Sequence, residues 1–422
     1  MTGWKRAAVW LLRLVIGGVF VMSGFVKMID PWGFVFKIEE YLAVWEMMQP
    51  RTLVLAGALL LSGYEFVLGA LLAMGCYKRV APWGLMLTMF VMLPLTLYIW
   101  IADPVSDCGC FGDFWKISNG ATFMKNVAIV AGLICLIRWN GRLRESLFNP
   151  AIQWMVGAWV SLYILIVGLY GYNVQPMLDF RSFPVGTDLK AESAGGDDLE
   201  YVFVYEKDGV RREFDIDHIP DSTWTFVDRI EPEAYRTESD KAVLAVYDGE
   251  DEVTEDVIAE SGPEILLVIP EPLRADISYS YTINEIAEYA DSVGIPMAGL
   301  LGTGPEGVDR WRDVSMAEYP CYTVEDTSLK ELARGNMSVV MLDNGIIMSK
   351  TTVGVLDPAA VESPLSEELF IAELSGYGSG VLKWLNIIFG GVLLLLYMFQ
   401  GLIIAIRLKF KGKYRQKHAK NS

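Results

Sequence analysis

The 422-residue sequence predicts a polytopic α-helical membrane protein with an α/β domain outside the membrane. Three observations predict this class. Six apolar segments are each long enough to cross a bilayer as a helix. Basic residues cluster in alternate loops, and a stretch of about 200 residues that is rich in Asp and Glu separates the fifth segment from the sixth. The six segments run over Ala8–Ile29, Leu53–Met74, Pro82–Ile101, Phe123–Ile137, Ile152–Tyr172 and Gly380–Ile406.

The charged residues predict the orientation of these helices, since Lys and Arg in short loops mark the cytoplasmic side. A cytoplasmic N-terminus places Lys5, Arg6, Lys78, Arg79 and the basic C-terminal tail on one side. The opposite loops are acidic. We therefore expect a six-pass protein of the bacterial inner membrane, with both termini cytoplasmic and the large domain periplasmic.

The net charge of −17 is the sum of the net charges of two regions, one strongly acidic and one basic. Between Gln175 and Gly378 there are 43 acidic and 14 basic residues, a net charge of −29, so the remainder carries +12. A basic tail inside the cell suits anionic lipid headgroups, which makes the lipid bilayer an expected partner. The acidic domain has no basic stripe, which argues against nucleic-acid binding.

The first apolar segment is expected to be an uncleaved helix. Lys5 and Arg6 before an apolar run are typical of a signal peptide, but this run continues to Lys27 and Asp30 without a small-x-small cleavage site.

The loop between the third and fourth segments contains two cysteines and several charged residues close together in the sequence. Cys108 and Cys110 are one residue apart within the run Asp107-Cys108-Gly109-Cys110-Phe111-Gly112-Asp113. On the periplasmic side disulfides form and persist. Three interpretations stay open: a redox dithiol or disulfide, a structural turn or local bridge, and a metal site. A disulfide in so small a ring would be labile and exchange-prone.

A metal at this loop is the least favoured interpretation. Zinc needs four ligands, and the chain has only two histidines, His218 and His418, in other regions. Copper fits a Cys-x-Cys pair better because thiolates favour soft ions. No metal is therefore assigned.

The surroundings of the two thiols predict opposing effects on their ionisation. Asp107 and Asp113 disfavour a thiolate, whereas Lys27 or Lys116 would offset them.

The other three cysteines suit packing roles. Cys76 and Cys135 lie near helix ends and are expected to be small apolar side chains in helix packing. Cys321 belongs to the acidic domain and is either a buried core residue or a thiol that exchanges with Cys108 or Cys110.

The first two apolar segments contain the charged residues Arg13, Lys27 and Glu65, and a charge in a bilayer is costly. Arg13 and Glu65 are predicted to pair and lock the first two segments, with a proton or quinone site as the alternative. Lys27, near the outer end of its helix, either snorkels to the headgroups or reaches the cysteine loop.

Several of these residues fall in a recognisable pattern. The first segment reads Arg13-x-x-x-Gly17-x-x-Phe20-x-x-Ser23-Gly24-x-x-Lys27-x-x-Asp30-Pro31, and the second contains Glu65-x-x-x-Gly69. With four helices and the cysteine loop, residues 4–140 resemble the DoxX and MauE-like family of membrane proteins. The resemblance implies a four-helix bundle. DoxX-type members are linked to thiosulfate:quinone oxidoreduction, and MauE-type members to maturation of the disulfide-rich subunit of methylamine dehydrogenase.

The acidic domain is expected to contain a β-rich first part and an α/β second part. Alternation over Tyr201–Glu206, followed by Asp208-Gly209, predicts a β-hairpin. In the second part, a β-α-β-α-β-β order over Glu264–Lys350 resembles the thioredoxin fold. Similar fusions occur in DoxX family proteins of Bacteroidetes-type bacteria. The predicted elements are strands at Ile265–Ile269 and Ile295–Leu300, helices at Thr282–Val293, Asp309–Met316 and Ser328–Arg334, and a hairpin of Val339–Leu342 with Ile346–Met348.

This second part departs from thioredoxins where their chemistry resides. Pro270-Glu271-Pro272-Leu273 follows the first strand in place of Cys-x-x-Cys, and Met337-Ser338 replaces the proline opposite it. We therefore expect a degenerate thioredoxin-like domain without its own dithiol.

These observations divide the chain into five regions and predict a redox function. The regions are residues 1–140, a DoxX/MauE-like membrane domain; 141–174, a loop and the fifth helix; 175–262, the acidic β-rich part; 263–376, the thioredoxin-like domain; and 377–422, the sixth helix and tail. Cys108 and Cys110 would exchange electrons between periplasmic client proteins or thiol substrates and a membrane quinone. The alternative is a non-catalytic inner-membrane scaffold or maturation factor whose periplasmic domain binds a client.

Overall fold

The structure is a computed structural model of the chain that falls into two compact units. The first comprises Met1–Leu178 with Tyr377–Ser422, and the second comprises Asp179–Gly376. The structure describes residues 3–47, 49–105, 108–115, 117–140, 145–190, 202–207, 210–214, 225–230, 244–259, 261–362, 364–376 and 378–419.

The first unit is helical, and six of its helices are long and apolar enough to cross a membrane. All six predicted segments are confirmed as helices. The unit's helices are α1 (Gly3–Ile29), α2 (Pro31–Val44), α3 (Arg51–Ala73), α4 (Val80–Ala102), α5 (Asn119–Trp139), α6 (Gln153–Asn173) and α13 (Gly378–Ala419).

Helix α2 is a helix that the hydropathy pattern missed, because its 14 residues are too short to span a bilayer. Its start follows ordinary capping chemistry. Asp30 accepts a hydrogen bond from the backbone N–H of Gly33 at 2.9 Å, and Pro31 occupies the first turn. This helix covers the end of α3 and contributes to the site described below.

Helices α1 and α3 pack against each other at unusually short range through glycines. A Cβ atom on Gly24 would lie 2.5 Å from the carbonyl oxygen of Ser62, and one on Gly69 would lie 2.8 Å from the backbone nitrogen of Val21. Small residues allow such contact between membrane helices, where van der Waals packing replaces the hydrophobic driving force. The glycines thus bring the polar side chains of the two helices within reach of each other.

The last helix, α13, docks on α6 through aromatic and polar contacts. The Tyr163 hydroxyl donates to Asn386 Oδ1 at 2.6 Å, and its ring stacks on Phe389 with centroids 4.1 Å apart. Farther along, the Gln400 amide binds the backbone of Leu147 and Asn149. These contacts attach the C-terminal helix to the membrane unit.

The second unit contains a seven-stranded sheet in the order β10-β9-β6-β7-β8-β4-β5. Strands β6, β7 and β8 are parallel, and the flanking pairs are antiparallel. The strands are β4 (Val246–Asp248), β5 (Asp251–Glu252), β6 (Pro263–Ile269), β7 (Met297–Leu301), β8 (Cys321–Val324), β9 (Ser338–Asp343) and β10 (Ile346–Thr352).

Helices cover both faces of this sheet, so its central strands are almost continuously apolar. The cores contain alternate residues of the same strand, such as Leu267 on one face and Leu266 on the other. The unit's helices are α7 (Thr254–Val257), α8 (Ser280–Ser292), α9 (Pro305–Ser315), α10 (Asp326–Leu332), α11 (Pro358–Glu362) and α12 (Glu367–Leu374).

The predicted strands, helices and C-terminal hairpin of this sheet are present, but the sequence interpretation missed β8. From β6 onward the order is β-α-β-α-β-α-β-β, with β8 inserted between α9 and α10. The strand has four residues and follows Pro320, so it gave no clear alternation. The likeness to thioredoxin is not confirmed.

The predicted hairpin of the β-rich part is confirmed. Strands β1 (Val202–Lys207) and β2 (Val210–Phe214) pair antiparallel, and β3 (Thr225–Ile230) completes a sheet of order β2-β1-β3. The turn at 208–209 lies outside the described residues.

We expect Gly24→Ala to destabilise the membrane unit, because the new methyl group would meet the backbone of α3. Overpacking of this kind costs roughly 1–3 kcal/mol. Gly18→Ala is the matched control, since a Cβ there has nothing within 4 Å. Unfolding of both variants in detergent should show a loss for Gly24→Ala only; equal stabilities would contradict the packing described here.

Candidate functional site at the cysteine loop

The loop between α4 and α5 is held in a fixed shape by two glycines. Gly109 and Gly112 have φ angles of +63° and +52°, in the left-handed region that favours glycine. At Gly109 a Cβ would also lie 2.7 Å from Cγ of Lys37. The Asn119 amide donates to Asp103 Oδ1 and to the Val105 carbonyl, which ties the two ends of the loop together.

The two thiols of this loop face each other, with their sulfur atoms 2.6 Å apart. Both are free cysteines. The hydrogen bond from Cys110 lowers the pKa of Cys108 to about 6, and the charge of Lys125 lowers it further. The same contact, with burial, raises the pKa of Cys110 well above its usual range. These opposite shifts favour a thiolate at Cys108 over one at Cys110.

A buried ion pair lies beside the loop, between α1 and α3. Lys27 Nζ is 2.8 Å from Glu65 Oε2, and each side chain is only 3% exposed. The Ser23 hydroxyl lies 3.0 Å from the same carboxylate oxygen and 2.7 Å from the carbonyl oxygen of Cys110. Hydrogen bonds thus connect the ion pair to the backbone of the cysteine loop.

The predicted Arg13–Glu65 pair is wrong. Side chains on a helix lean toward its N-terminus, so Lys27 leans back toward the middle of α1 and meets Glu65 of the antiparallel α3. Arg13 leans in the same direction, toward the N-terminal end of α1, and therefore away from Glu65. There its guanidinium donates to Asn140 Oδ1 at 2.6 Å and to the Glu145 carbonyl at 3.2 Å, and it lies over the Trp10 ring.

A cavity of about 460 Å³ opens beside these groups, within the first unit. Its wall is mainly apolar and is formed by α1 to α5 and the cysteine loop. The polar side chains on that wall include Ser23, Lys27, Glu65, Lys125, Asn126, Cys108 and Cys110. A largely apolar pocket of this size with a few converging polar groups is typical of a small-molecule site.

Lys125 extends the positive charge of this wall from α5. Its ammonium lies 4.4 Å from the centre of the Phe111 ring, a cation–π contact. Phe111 itself stacks on Trp115, so the aromatic residues after the cysteines position the lysine. The site thus contains two ammonium groups, of which one is paired with Glu65.

Comparison with known protein families found two that match parts of the chain. The family described as "Methylamine utilisation protein MauE" matches residues 5–138, which include α1 to α5 and the cysteine loop. Residues 5–138 form a MauE-like membrane domain. A second family, "Domain of unknown function (DUF8463)", matches residues 199–232. Neither the curated proteins nor the solved structures gave a match to this chain. The DoxX part of the resemblance is not confirmed.

The site of the MauE-like domain brings together four of the residues singled out from the sequence. Cys108, Cys110, Lys27 and Glu65 all line the cavity, and the prediction that Lys27 reaches the loop agrees with its position. Arg13 lies elsewhere in the domain and takes no part.

Lys125 and Ser23 are the site residues that sequence reasoning missed. Lys125 and its neighbour Asn126 lie near the start of the fourth apolar segment, to which the sequence analysis assigned no functional residue. Polar residues inside a membrane helix are themselves a signal of a functional site, and here Lys125 and Asn126 both line the cavity. Of the loop charges considered from the sequence, Asp107 and Lys116 lie outside the described residues.

Cys321, in the second unit, is a buried residue of β8 with 1% exposure. Burial raises the pKa of its thiol to about 11. A buried thiol that stays protonated is a poor nucleophile. This thiol is thus poorly suited to exchange with Cys108 or Cys110. That exchange stays a prediction, and the function proposed below does not include it.

We expect the two loop cysteines to differ in reactivity with pH. Alkylation of Cys108 should rise as pH increases through about 6, where its thiolate forms, and should be lost below that value. Cys110 should react only at much higher pH. Cys110→Ser removes the thiol that stabilises the thiolate, so the midpoint for Cys108 should move upward. Timed alkylation with peptide mass spectrometry measures each site; identical profiles at both cysteines would contradict the assignment.

We expect Lys27→Met to destabilise the protein strongly, since it leaves the Glu65 carboxylate buried and unpaired. Breaking a buried ion pair from one side costs roughly 3–5 kcal/mol. The double variant Lys27→Met/Glu65→Met should recover most of that loss because no lone charge remains. Denaturation of the three proteins in detergent tests the pair, and an additive double variant would refute it.

Proposed function

We propose that the MauE-like domain is a membrane thiol–disulfide oxidoreductase that passes electrons from periplasmic thiols to a membrane quinone. One observation carries this proposal: two free cysteines in contact with each other lie on the wall of an apolar cavity among the membrane helices. A dithiol that served only as a turn would need no such cavity. The proposal places the cysteine loop and the second unit on the periplasmic side, as the charge pattern predicts.

The chemistry consists of two balanced steps. In the first, two thiols of a partner protein reduce the Cys108–Cys110 disulfide by exchange, and the partner leaves with a disulfide. In the second, the dithiol gives two electrons and the quinone gains two electrons and two protons, which regenerates the disulfide and yields a quinol. The lowered pKa of Cys108 supports both steps, because the thiolate is the reactive form of cysteine.

The cavity has the features that a quinone requires as a substrate. Its volume of about 460 Å³ is within the range of small-molecule pockets. Aromatic and aliphatic residues such as Phe20, Phe34 and Met89 suit a ring and an isoprenoid chain. Lys27 and Ser23 offer donors for a carbonyl oxygen, and the cysteine sulfurs face the same space.

A membrane accessory or maturation role is the second candidate, and the family description favours it. In that role the helices anchor the chain and the second unit holds a client protein while it matures. The two functions are compatible if the client's maturation includes disulfide formation. They differ in whether Cys108 and Cys110 change redox state.

We expect the reduced protein, purified in lipid nanodiscs, to reduce a short-chain ubiquinone or menaquinone analogue with formation of one disulfide per quinol. Cys108→Ser and Cys110→Ser should each abolish this reaction. Cys135→Ser is the matched control and should react like the wild-type protein, because Cys135 is a cysteine of α5 outside the cavity wall. Quinone absorbance and differential alkylation report the two half-reactions.

Absence of quinone reduction by the wild-type protein would refute the electron-transfer function. In that case the accessory role predicts that Cys108→Ser/Cys110→Ser keeps client maturation in cells at unchanged protein abundance.

A further inference from the structure

Oxidation of the cysteine pair does not supply both of the protons that a quinone needs. A quinone takes up two electrons and two protons to become a quinol. Cys108 and Cys110 supply both electrons, but the cysteine that attacks reacts as a thiolate, so the reacting pair brings a single proton. The second proton must come from another acid that reaches the same cavity.

Lys27 meets the requirements for this acid. Its ammonium carries three donor hydrogens, and the Glu65 carboxylate, at 2.8 Å, is its hydrogen-bond acceptor among the described side chains. The side chain lines the cavity and is almost fully buried, so a group in the cavity can accept from it. The centre of the Phe34 ring lies 4.8 Å from the ammonium, a cation–π contact that leaves the hydrogens of the ammonium available as donors.

The surroundings of Lys27 place it beside the cysteine loop. Glu65 faces it from α3, the two cysteines face it from the loop, and Phe34 covers it from α2. The Ser23 hydroxyl lies within hydrogen-bond distance of the Glu65 carboxylate and of the Cys110 carbonyl and donates to one of them at a time. The lysine and its partner thus lie at the end of the bundle where the cysteine loop is.

We propose that Lys27 is the general acid that gives the quinone its second proton, an inference that rests on the proposed function. Cys108 thiolate, Cys110 thiol, the Lys27 ammonium and a quinone become a disulfide, a neutral Lys27 amine and a quinol. Two electrons leave the sulfurs, one proton leaves Cys110 and one leaves Lys27. Water later returns a proton to the amine.

The charges of the site balance in this route. One negative charge, on Cys108, and one positive charge, on Lys27, disappear together, and the Glu65 carboxylate carries the negative charge that remains until a proton returns to Lys27. Without a proton from the protein, the remaining charge would lie on the reduced quinone, which would then not be a neutral quinol. Lys125 is the competing donor, but its position against Phe111 and its effect on Cys108 suit stabilisation of the thiolate.

Lys27→Arg separates the acid role from the structural role of the ion pair. Arginine keeps the positive charge and can bind Glu65, but it does not release its proton in proteins. Loss of general acid catalysis lowers rates by about 10²-fold or more. We expect Lys27→Arg to slow single-turnover quinone reduction by about that factor, with both loop cysteines still open to alkylation. Lys383→Arg, at an exposed position of α13, is the matched control.

The experiment is stopped-flow mixing of pre-reduced nanodisc protein with the quinone analogue, in H₂O and in D₂O. The wild-type protein should show a solvent isotope effect that Lys27→Arg changes, which a purely structural lysine would not produce. If Lys27→Arg does not fold, Lys27→Met/Glu65→Met keeps the site free of lone charge and should show the same loss.

Three results would overturn the assignment. Rates for Lys27→Arg within about threefold of Lys383→Arg would show that the lysine is structural while the quinone reaction stands. Slow quinone reduction by Lys125→Arg, together with a normal rate for Lys27→Arg, would identify Lys125 of α5 as the acid. Failure of the wild-type protein to reduce quinone would remove the proposed function and this inference together.

Discussion

The close contact between α1 and α3 is the constraint on which the site depends. Gly24 and Gly69 let the two backbones approach until Lys27 and Glu65 meet, and the pair becomes almost fully buried. Two charges in an apolar bundle are stable only when each neutralises the other. The same contact brings Ser23 under the cysteine loop. Packing and chemistry in this domain therefore rest on the same few small residues.

Hydropathy and charge predicted all six membrane helices because the bilayer restricts chain segments to lengths that can be counted. The same criterion failed for α2, which covers the cavity without spanning the membrane. In the second unit, period and turn chemistry predicted the long elements, while β8 was too short to show alternation. Boundaries and elements of this kind depend on tertiary contacts that a single sequence does not contain.

The residues of the site were largely predictable, and their pairing was not. Charged residues in membrane helices are few, so Arg13, Lys27 and Glu65 were identified directly. Depth along the helix suggested Arg13 as the partner of Glu65, whereas side-chain direction selects Lys27. The cavity is formed by five helices and a loop in their final positions, so it cannot be predicted from any one segment. The role of Lys125 can be recognised only once its position on the cavity wall is known. Distance along a helix axis is therefore a weaker guide to partners than the direction of the Cα–Cβ bond.

The hydroxyl of Ser23 has one hydrogen and two acceptors within reach, the Glu65 carboxylate and the Cys110 carbonyl. It satisfies one of them at a time. The backbone of the cysteine loop and the Glu65 carboxylate therefore compete for the same donor, and by thermodynamic reciprocity a change at one changes the hydrogen bond at the other. A movement of Cys110 that frees this hydrogen would strengthen the hold on Glu65. Through this one serine, a small change in the position of the loop changes the hydrogen bonding of Glu65 inside the helix bundle, and no large conformational change is needed.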